Sequence, residues 1–136
     1  AVNYDATVND TETGAVNSVV TVGLKGQDTI VSVITDNSVR RLELEPGSEV
    51  LAIVKAPSVM LALEVDPKKI SARNILAGTI RRIVPGVVND EVTIDLSGGN
   101  TVTSILTSES VRRLGLQEGM AVTAVIKASD VMLAVA

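Results

Sequence analysis

Apolar and β-branched residues come along this chain in short runs separated by turn-forming residues, a pattern of many small strands rather than long helices. An opening strand-like run begins Ala1-Val2-Asn3-Tyr4 and continues through Thr7-Val8, and Gly14-Ala15-Val16-Asn17 reads as a turn. Val19-Val20-Thr21-Val22 and Thr29-Ile30-Val31-Ser32-Val33-Ile34 are the next predicted strands, with Lys25-Gly26-Gln27-Asp28 as the hairpin turn between them. Thr35-Asp36-Asn37-Ser38 has the composition of a helix start, with Thr35 or Asp36 as cap. Glu45-Pro46-Gly47 follows so soon after Leu42 and Leu44 that this helix is short. Val50 to Lys55 predicts another strand, Ala56-Pro57-Ser58 a turn, and Val59–Leu63 a strand that returns. Val59–Leu63 and Val131–Val135 show little polar alternation, so both of their faces are expected to be buried.

A shift of 72 residues lays Ala1–Glu64 on Arg73–Ala136 without a gap, and 26 of the 64 pairs are identical. Thr-x-x-Ser-Val-Arg-Arg-Leu recurs at 35–42 and 107–114, Lys-Ala-x-x-Val-Met-Leu-Ala at 55–62 and 127–134, and Gly-x-Val-Asn at 14–17 and 86–89. The chain is therefore an internal duplication. The predicted fold is all-β: two tandem small five-stranded barrels of the oligonucleotide- and oligosaccharide-binding type, each with one short helix after its third strand. The repeats divide at residues 1–66 and 67–136. Barrel closure removes most sheet edges. Units of this size are small for a self-sufficient core, so they are expected to pack on each other and on further copies, as a homo-oligomer. A compact two-barrel monomer is the competing expectation.

Composition narrows the function classes. The chain is 46% apolar, has no Trp or Phe and only Tyr4 as an aromatic, and carries a formal charge of −4. Base stacking needs aromatic platforms and phosphate neutralisation needs a basic surface, so no direct nucleic-acid contact is expected. Without Cys or His there is no thiolate or imidazole metal site and no nucleophile-histidine pair. The carboxylates are scattered and show no Asp-x-Asp-x-Asp-Gly spacing, so neither catalysis nor a bound metal cation is expected. No apolar run is long enough to span a membrane and no signal peptide is visible, so a cytoplasmic location is expected. Ala1 in place of Met raises the expectation of an N-terminal part removed.

The chemistry concentrates at Lys69-Ile70-Ser71-Ala72-Arg73-Asn74, where the second repeat opens. In an extended segment Ser71 and Arg73 point the same way. With the backbone beside Ala72 they make an edge of hydrogen-bond donors that suits a small oxyanion, whose oxygens only accept. A solvated basic linker is the plainer alternative. Lys55 and Lys127 end apolar strands beside Ala56 and Ala128, as anion ligands or as snorkelling lysines. Thr35 with Ser38, and Thr107 with Ser110, are helix caps or anion contacts. Arg40-Arg41 and Arg112-Arg113 read as solvated helix faces, Asp28 and Asp66 as turn formers. Ser97-Gly98-Gly99-Asn100 reads as a hairpin turn rather than a phosphate loop.

Together, Lys-Ile-Ser-Ala-Arg-Asn-x-Leu-x-Gly-Thr-Ile, Gly-Val-Val-Asn and Val-Ile-Lys-Ala-Ser (125–129) resemble the molybdate-binding Mop domain, of the Mop/TOBE type. With two copies, the chain is similar over its whole length to the tandem-Mop molbindins and to the C-terminal effector half of the molybdate-responsive transcription regulator. The resemblance implies assembly around threefold axes, as a trimer of two-domain chains (a dimer for a regulator fragment). Molybdate or tungstate would be bound between domains, with no organic cofactor. Carried over by position, the oxyanion contacts are Ser71, Ala72, Arg73, Lys127, Ala128, Thr107 and Ser110, with Lys55, Ala56, Thr35 and Ser38 as first-repeat equivalents. Val16, Asn17, Val88 and Asn89 match a second class of site near a symmetry axis. The resemblance implies intracellular storage and buffering of the anion, or sensing as the effector domain of a regulator or transport ATPase. The first repeat departs from the pattern: Arg73 falls on Ala1 and Asn74 on Val2, or, with one deletion, Ala72-Arg73-Asn74 falls on Ala1-Val2-Asn3. Either way no arginine stands there, so sites built on that opening strand are expected to be weak or lost.

Overall fold

The computed structural model describes residues 2–136. The first half folds as β1 (Val2–Thr13), β2 (Asn17–Leu24), β3 (Thr29–Thr35), α1 (Asp36–Arg41), β4 (Glu49–Val54) and β5 (Met60–Ala62). The second repeats the order as β6 (Asn74–Val84), β7 (Asn89–Leu96), β8 (Thr101–Thr107), α2 (Ser108–Leu114), β9 (Ala121–Ile126) and β10 (Val131–Ala134). Single 3₁₀ turns lie at Ala56–Ser58, Pro67–Lys69 and Ala128–Asp130. Along β2 every second residue is buried, and the buried positions of β7 are the same ones 72 residues on. The two-residue period thus sets which face of each repeat meets the core.

All strand pairs are antiparallel, in two curled five-stranded sheets ordered β10-β4-β1-β2-β3 and β5-β9-β6-β7-β8. The fifth strand of each sheet therefore comes from the other half. Val59–Leu63 does not return onto β4, as its position after a turn suggested. It crosses to pair with β9, Met60 opposite Val125, while β10 crosses back to β4, Met132 opposite Ile53. The repeat boundary at 66/67 is a boundary of sequence, and both sheets span it. The edges of each sheet meet through a buried serine: Ser32 Oγ donates to Val131 O and Ser104 Oγ to Val59 O, both at 2.6 Å. A buried hydroxyl without a partner costs about 1–3 kcal/mol, so these two bonds favour the crossed arrangement. Bulges between Val8 and Asp10 and between Ile80 and Arg82 add the local twist that curls the long first strand of each repeat.

The buried side chains of both halves form one continuous cluster, with Val20, Val22, Ile30 and Val54 from the first and Val92, Ile94, Val102 and Ile126 from the second. The expected packing of the units on each other holds. Within one chain, Val59–Leu63 and Val131–Val135 bury one face each: Val59 and Val131 are covered, while Met60, Leu63, Met132 and Val135 are exposed. These short strands lie at sheet edges, where only one face meets the core.

Where the halves dock, the β2–β3 and β7–β8 turns meet. Asp28 and Asn100 occupy equivalent positions in the two repeats, and they bond to each other. The Asn100 backbone N–H and Nδ2 donate to Asp28 Oδ2 at 2.9 and 2.8 Å, and Nδ2 also donates to Lys25 O at 2.5 Å. Asp28 is thus a buried contact as well as a turn residue. Gly98 permits the approach, since a Cβ there would stand 2.0 Å from Asp28 Oδ1. Beside it the Tyr4 hydroxyl, from the first sheet, donates to Thr101 O at 2.6 Å. Burial, with the Asp28 charge nearby, pushes this phenol up to about 12, so it stays a donor.

The Asp28–Asn100 contact needs one acid and one amide. Asn100→Asp sets two carboxylates together in a dry seam and is expected to cost about 1–3 kcal/mol in urea unfolding at neutral pH. The exchanged pair Asp28→Asn with Asn100→Asp restores most of that loss. Full stability of the single variant would contradict this account of the seam.

Candidate anion site

The chain crosses between sheets through the linker after β5, and the linker is shaped locally. Asp66 Oδ1 accepts from Lys68 N at 3.0 Å, Pro67 starts the 3₁₀ turn, and Ile70 leaves it in extended conformation. Ser71, Ala72 and Arg73 follow, just ahead of β6. Opposite lies the corner before β10, where Lys127 is extended and Ala128–Asp130 makes the turn, with Asp130 N donating to Lys127 O at 2.9 Å. Linker and corner line one cavity of about 440 Å³: Ile70, Ser71, Ala72 and Arg73 on one side, Lys127, Ala128 and Ser129 on the other, with Val33 of β3 and Met60 of β5.

Five of the residues singled out by sequence are thus brought together: Ser71, Ala72, Arg73, Lys127 and Ala128. No carboxylate is among the lining residues. Among the described residues the one ion pair is Arg81 with Asp95 at 2.6 Å, so Arg73 and Lys127 keep their charges unpaired. Ala128 is buried and Lys127 exposed, so the backbone of the corner is covered while the lysine at the cavity remains open to solvent. Nothing here resembles a catalytic pair, and among the described residues no acidic cluster could hold a metal cation.

The remaining predicted residues lie elsewhere. Lys55 and Ala56 form the equivalent corner on the first half, with Lys55 extended before the Ala56–Ser58 turn, and they do not line this cavity. Register decides the ambiguity in the first repeat. Val2 stands opposite Val54 as Asn74 stands opposite Ile126, so the gapless match holds from Val2 onward. Ala1, the counterpart of Arg73, lies outside the described residues. Thr35 and Thr107 are helix N-caps, accepting from Ser38 N and Ser110 N at 3.1 Å, and their hydroxyls reach Ser38 Oγ and Ser110 Oγ at 2.9 and 2.8 Å. Thr35 and Thr107 are exposed, Ser38 and Ser110 half-buried, and none of the four borders the cavity.

Val16, Asn17, Val88 and Asn89 form two exposed turns tied to the helix starts. Asp36 N donates to Val16 O at 2.9 Å and Ser108 N to Val88 O at 2.8 Å. Glycine is required at the head of each turn, because a Cβ on Gly14 or Gly86 would lie 2.6 or 2.2 Å from the Asn17 or Asn89 carbonyl oxygen. A buried serine–aspartate bond locks each turn to its helix, with the partners exchanged between repeats: Ser18 donates to Asp36, and Ser108 to Asp90. Asn89 also borders a shallower cavity of about 320 Å³ with Pro85, Gly86 and Ile105.

Val33, Met60, Ile70 and Ser129 of the linker–corner cavity were missed as site residues by sequence reasoning. The Met60/Met132 repeat was a visible signal for Met60. Val33 carried none, because its place there depends on the strand exchange.

Set beside known proteins, residues 5–61 and 70–133 match the TOBE domain family model. The chain is 41% identical over 128 residues to the molybdenum-pterin-binding protein MopA of Rhodobacter capsulatus, covering 94% of this chain and 48% of that protein. It is 44% identical over 122 residues to the molybdenum transport protein ModE of Azotobacter vinelandii, covering 90% and 45%. It therefore spans about half the length of these curated relatives. Among solved structures it superposes on one described as the cytoplasmic molybdate-binding protein ModG with molybdate bound, with a TM-score of 0.93 and 46% identity over 99% of this chain and 96% of that one.

The lock at the second turn titrates. The Ser108 hydroxyl, then the Gly86 amide at 3.1 Å, hold the Asp90 carboxyl below its usual 3.8. A lowered folded-state value means that the stabilisation is present in full above the unfolded value. It is lost as the pH falls through the folded one. Chemical denaturation between neutral pH and the acid range is expected to show this loss in the parent chain and a shallower dependence in Asp90→Asn. Identical pH profiles would dismiss the lock.

Proposed function

The chain belongs to the TOBE domain family, and we propose that it binds molybdate as a tetrahedral dianion, without chemical change to it. One observation carries the reading: a hydroxyl, a guanidinium and an ammonium, from Ser71, Arg73 and Lys127, converge on one cavity beside the small residues Ala72 and Ala128. An oxyanion accepts hydrogen bonds and never donates them, so such a lining matches it. The near-complete overlap with ModG supports the same ligand. Hydrogen bonds to a charged group contribute about 1.5–3 kcal/mol each, and four or five must outweigh a desolvation cost of several kcal/mol. The result is an affinity near micromolar, about −8 kcal/mol. Tungstate, of the same charge and shape, is accepted too. Sulfate differs in size rather than charge, so the fit of the cavity separates them.

A cavity of about 440 Å³ is several times larger than one tetrahedral oxyanion. We assign the missing wall to another copy of the chain, whose Thr107 and Ser110, or Thr35 and Ser38, add hydroxyls. The protein then works as a homo-oligomer, a trimer of two-domain chains, with anions held between domains and a second class of site at the Val16-Asn17 and Val88-Asn89 turns. Its role is storage and buffering of the anion in the cytoplasm, with no catalysis and no organic cofactor. Among the described residues no helix is long and apolar enough to cross a membrane. The match to ModE, a protein about twice as long, favours a second reading, in which this segment is the ligand-sensing half of a regulator and pairs as a dimer.

Calorimetric titration with molybdate, and with sulfate as control, tests the ligand. Arg73→Ala is expected to weaken molybdate binding by about tenfold or more, the loss of one charge-assisted contact. Because Arg73 is exposed, its thermal midpoint should hardly move. An unchanged titration removes Arg73 from the site. Light scattering after size exclusion decides the assembly: a mass of three chains is expected, and a mass of one chain refutes the shared cavity.

A further inference from the structure

Ser71, Ala72 and Arg73 belong to a linker that lies in no strand, so something outside it must hold them in place. Asn74, the residue that ends the linker, is 2% exposed. Its side-chain Oδ1 accepts from Val31 N at 2.8 Å, and Nδ2 donates to Val31 O at 2.8 Å. β3 is the outermost strand of the first sheet, so the carboxamide gives Val31 what a neighbouring strand would. The backbone of Asn74 meanwhile pairs with Ile126 of the second sheet. One residue thus joins both sheets at the cavity. Arg73 precedes it, Lys127 follows its partner Ile126, and Val33 lies two residues from Val31, where alternation puts its backbone on the same edge.

We infer that Asn74 is the positioning residue of the anion cavity, clipping the linker to the free edge of β3 so that Ser71, Ala72 and Arg73 face Lys127. The inference rests on the anion-binding reading above. It also separates the two repeats. Val2 holds the equivalent register opposite Val54 and has no side chain that can hydrogen-bond, so the first repeat has no clip. Each chain carries one clipped cavity.

Molybdate titrations of the full chain, with thermal unfolding measured alongside, test it. Asn74→Ala is expected to stay folded by circular dichroism and to bind molybdate about 10–100-fold more weakly, as happens when a residue that orients ligands is removed. A merely structural asparagine would lower the thermal midpoint and leave the affinity of the folded variant unchanged. Asn74→Asp is the second probe. A protonated carboxyl offers one donor and one acceptor, as the clip to Val31 uses, whereas a carboxylate cannot donate to Val31 O. Relative to the parent chain at the same pH, its affinity is lowered where the acid is ionised, at about pH 8, and recovers as the pH falls, with burial favouring the neutral acid and the Arg73 and Lys127 charges opposing it. Arg73 and Lys127 are the charged groups at the adjoining cavity, and Arg73→Ala shows no such recovery. A folded Asn74→Ala that binds within about twofold of the parent, or an Asn74→Asp with undiminished affinity at the higher pH, overturns the inference while loss of binding in Arg73→Ala keeps the anion reading. A parent chain that takes up no molybdate overturns both.

Discussion

β5 and β10 are three and four residues long, yet each leaves its own half of the chain to complete the sheet of the other. Strands so short make too few ladder bonds to hold a position by themselves. The Ser32 and Ser104 hydroxyls supply what is missing, bonding the carbonyls of Val131 and Val59 where the crossing strands begin. A repeat of this size buries too little surface to be stable alone. The exchange turns two marginal cores into one continuous cluster. The cavity follows from the same crossing. Met60 rides on the strand that leaves the first half, Lys127 to Ser129 form the corner that leaves the second, and the linker passes between them.

Joining two copies in one chain allows the seam to be asymmetric. In an assembly of identical repeats, the position of Asp28 would face its own copy, and two carboxylates would meet. Here the equivalent residue is Asn100, and repulsion becomes a hydrogen bond. The turn locks show the same freedom in another form, since Ser18–Asp36 and Asp90–Ser108 keep the bond and exchange its ends. At the helix ends, Glu43 adopts a left-handed conformation with φ 54°, where the second repeat has Gly115 at φ 65°. The geometry is shared, but the second copy reaches it with less steric cost. Asn74 against Val2 goes further, because Val2 has no side chain that could make the Asn74 bonds.

Local patterning made much of this readable. Strand periodicity, the Thr35 and Thr107 caps and the duplication all depend on residues close in sequence, and all appear where the residues put them. The exchange could not be read in the same way. An apolar run such as Val59–Leu63 declares that it needs a sheet, but both sheets offer an equivalent edge with an equivalent serine, and nothing local to the run says which of them it joins. Its lack of polar alternation called for two covered faces, and within one chain the edge position covers one of them. Ser71 and Arg73 were legible as a donor edge in an extended segment, but Lys127 was singled out through a family resemblance, because nothing local separates a ligand-binding lysine from a snorkelling one. Asn74 was within that motif, yet its role depends on Val31, 43 residues away in sequence.

A chain with a formal charge of −4 can still hold a doubly negative guest, and distance explains why. Carboxylates outnumber lysines and arginines by 16 to 12, but at physiological salt the field of an exposed charge decays within about 8 Å. Repulsion from scattered surface acids is largely screened before it reaches the cavity. Arg73 and Lys127 line the cavity itself, with no carboxylate among the lining residues to neutralise them. Local charge therefore decides whether an anion enters. It cannot decide which of two dianions stays, because Coulomb attraction at a given distance is the same for both. That choice falls to the spacing of the donors, and spacing is only as sharp as the backbone is fixed. The donors lie on a linker and a corner, both outside the sheets, so selectivity depends on the contacts that tie those segments to the sheets rather than on the charged groups themselves.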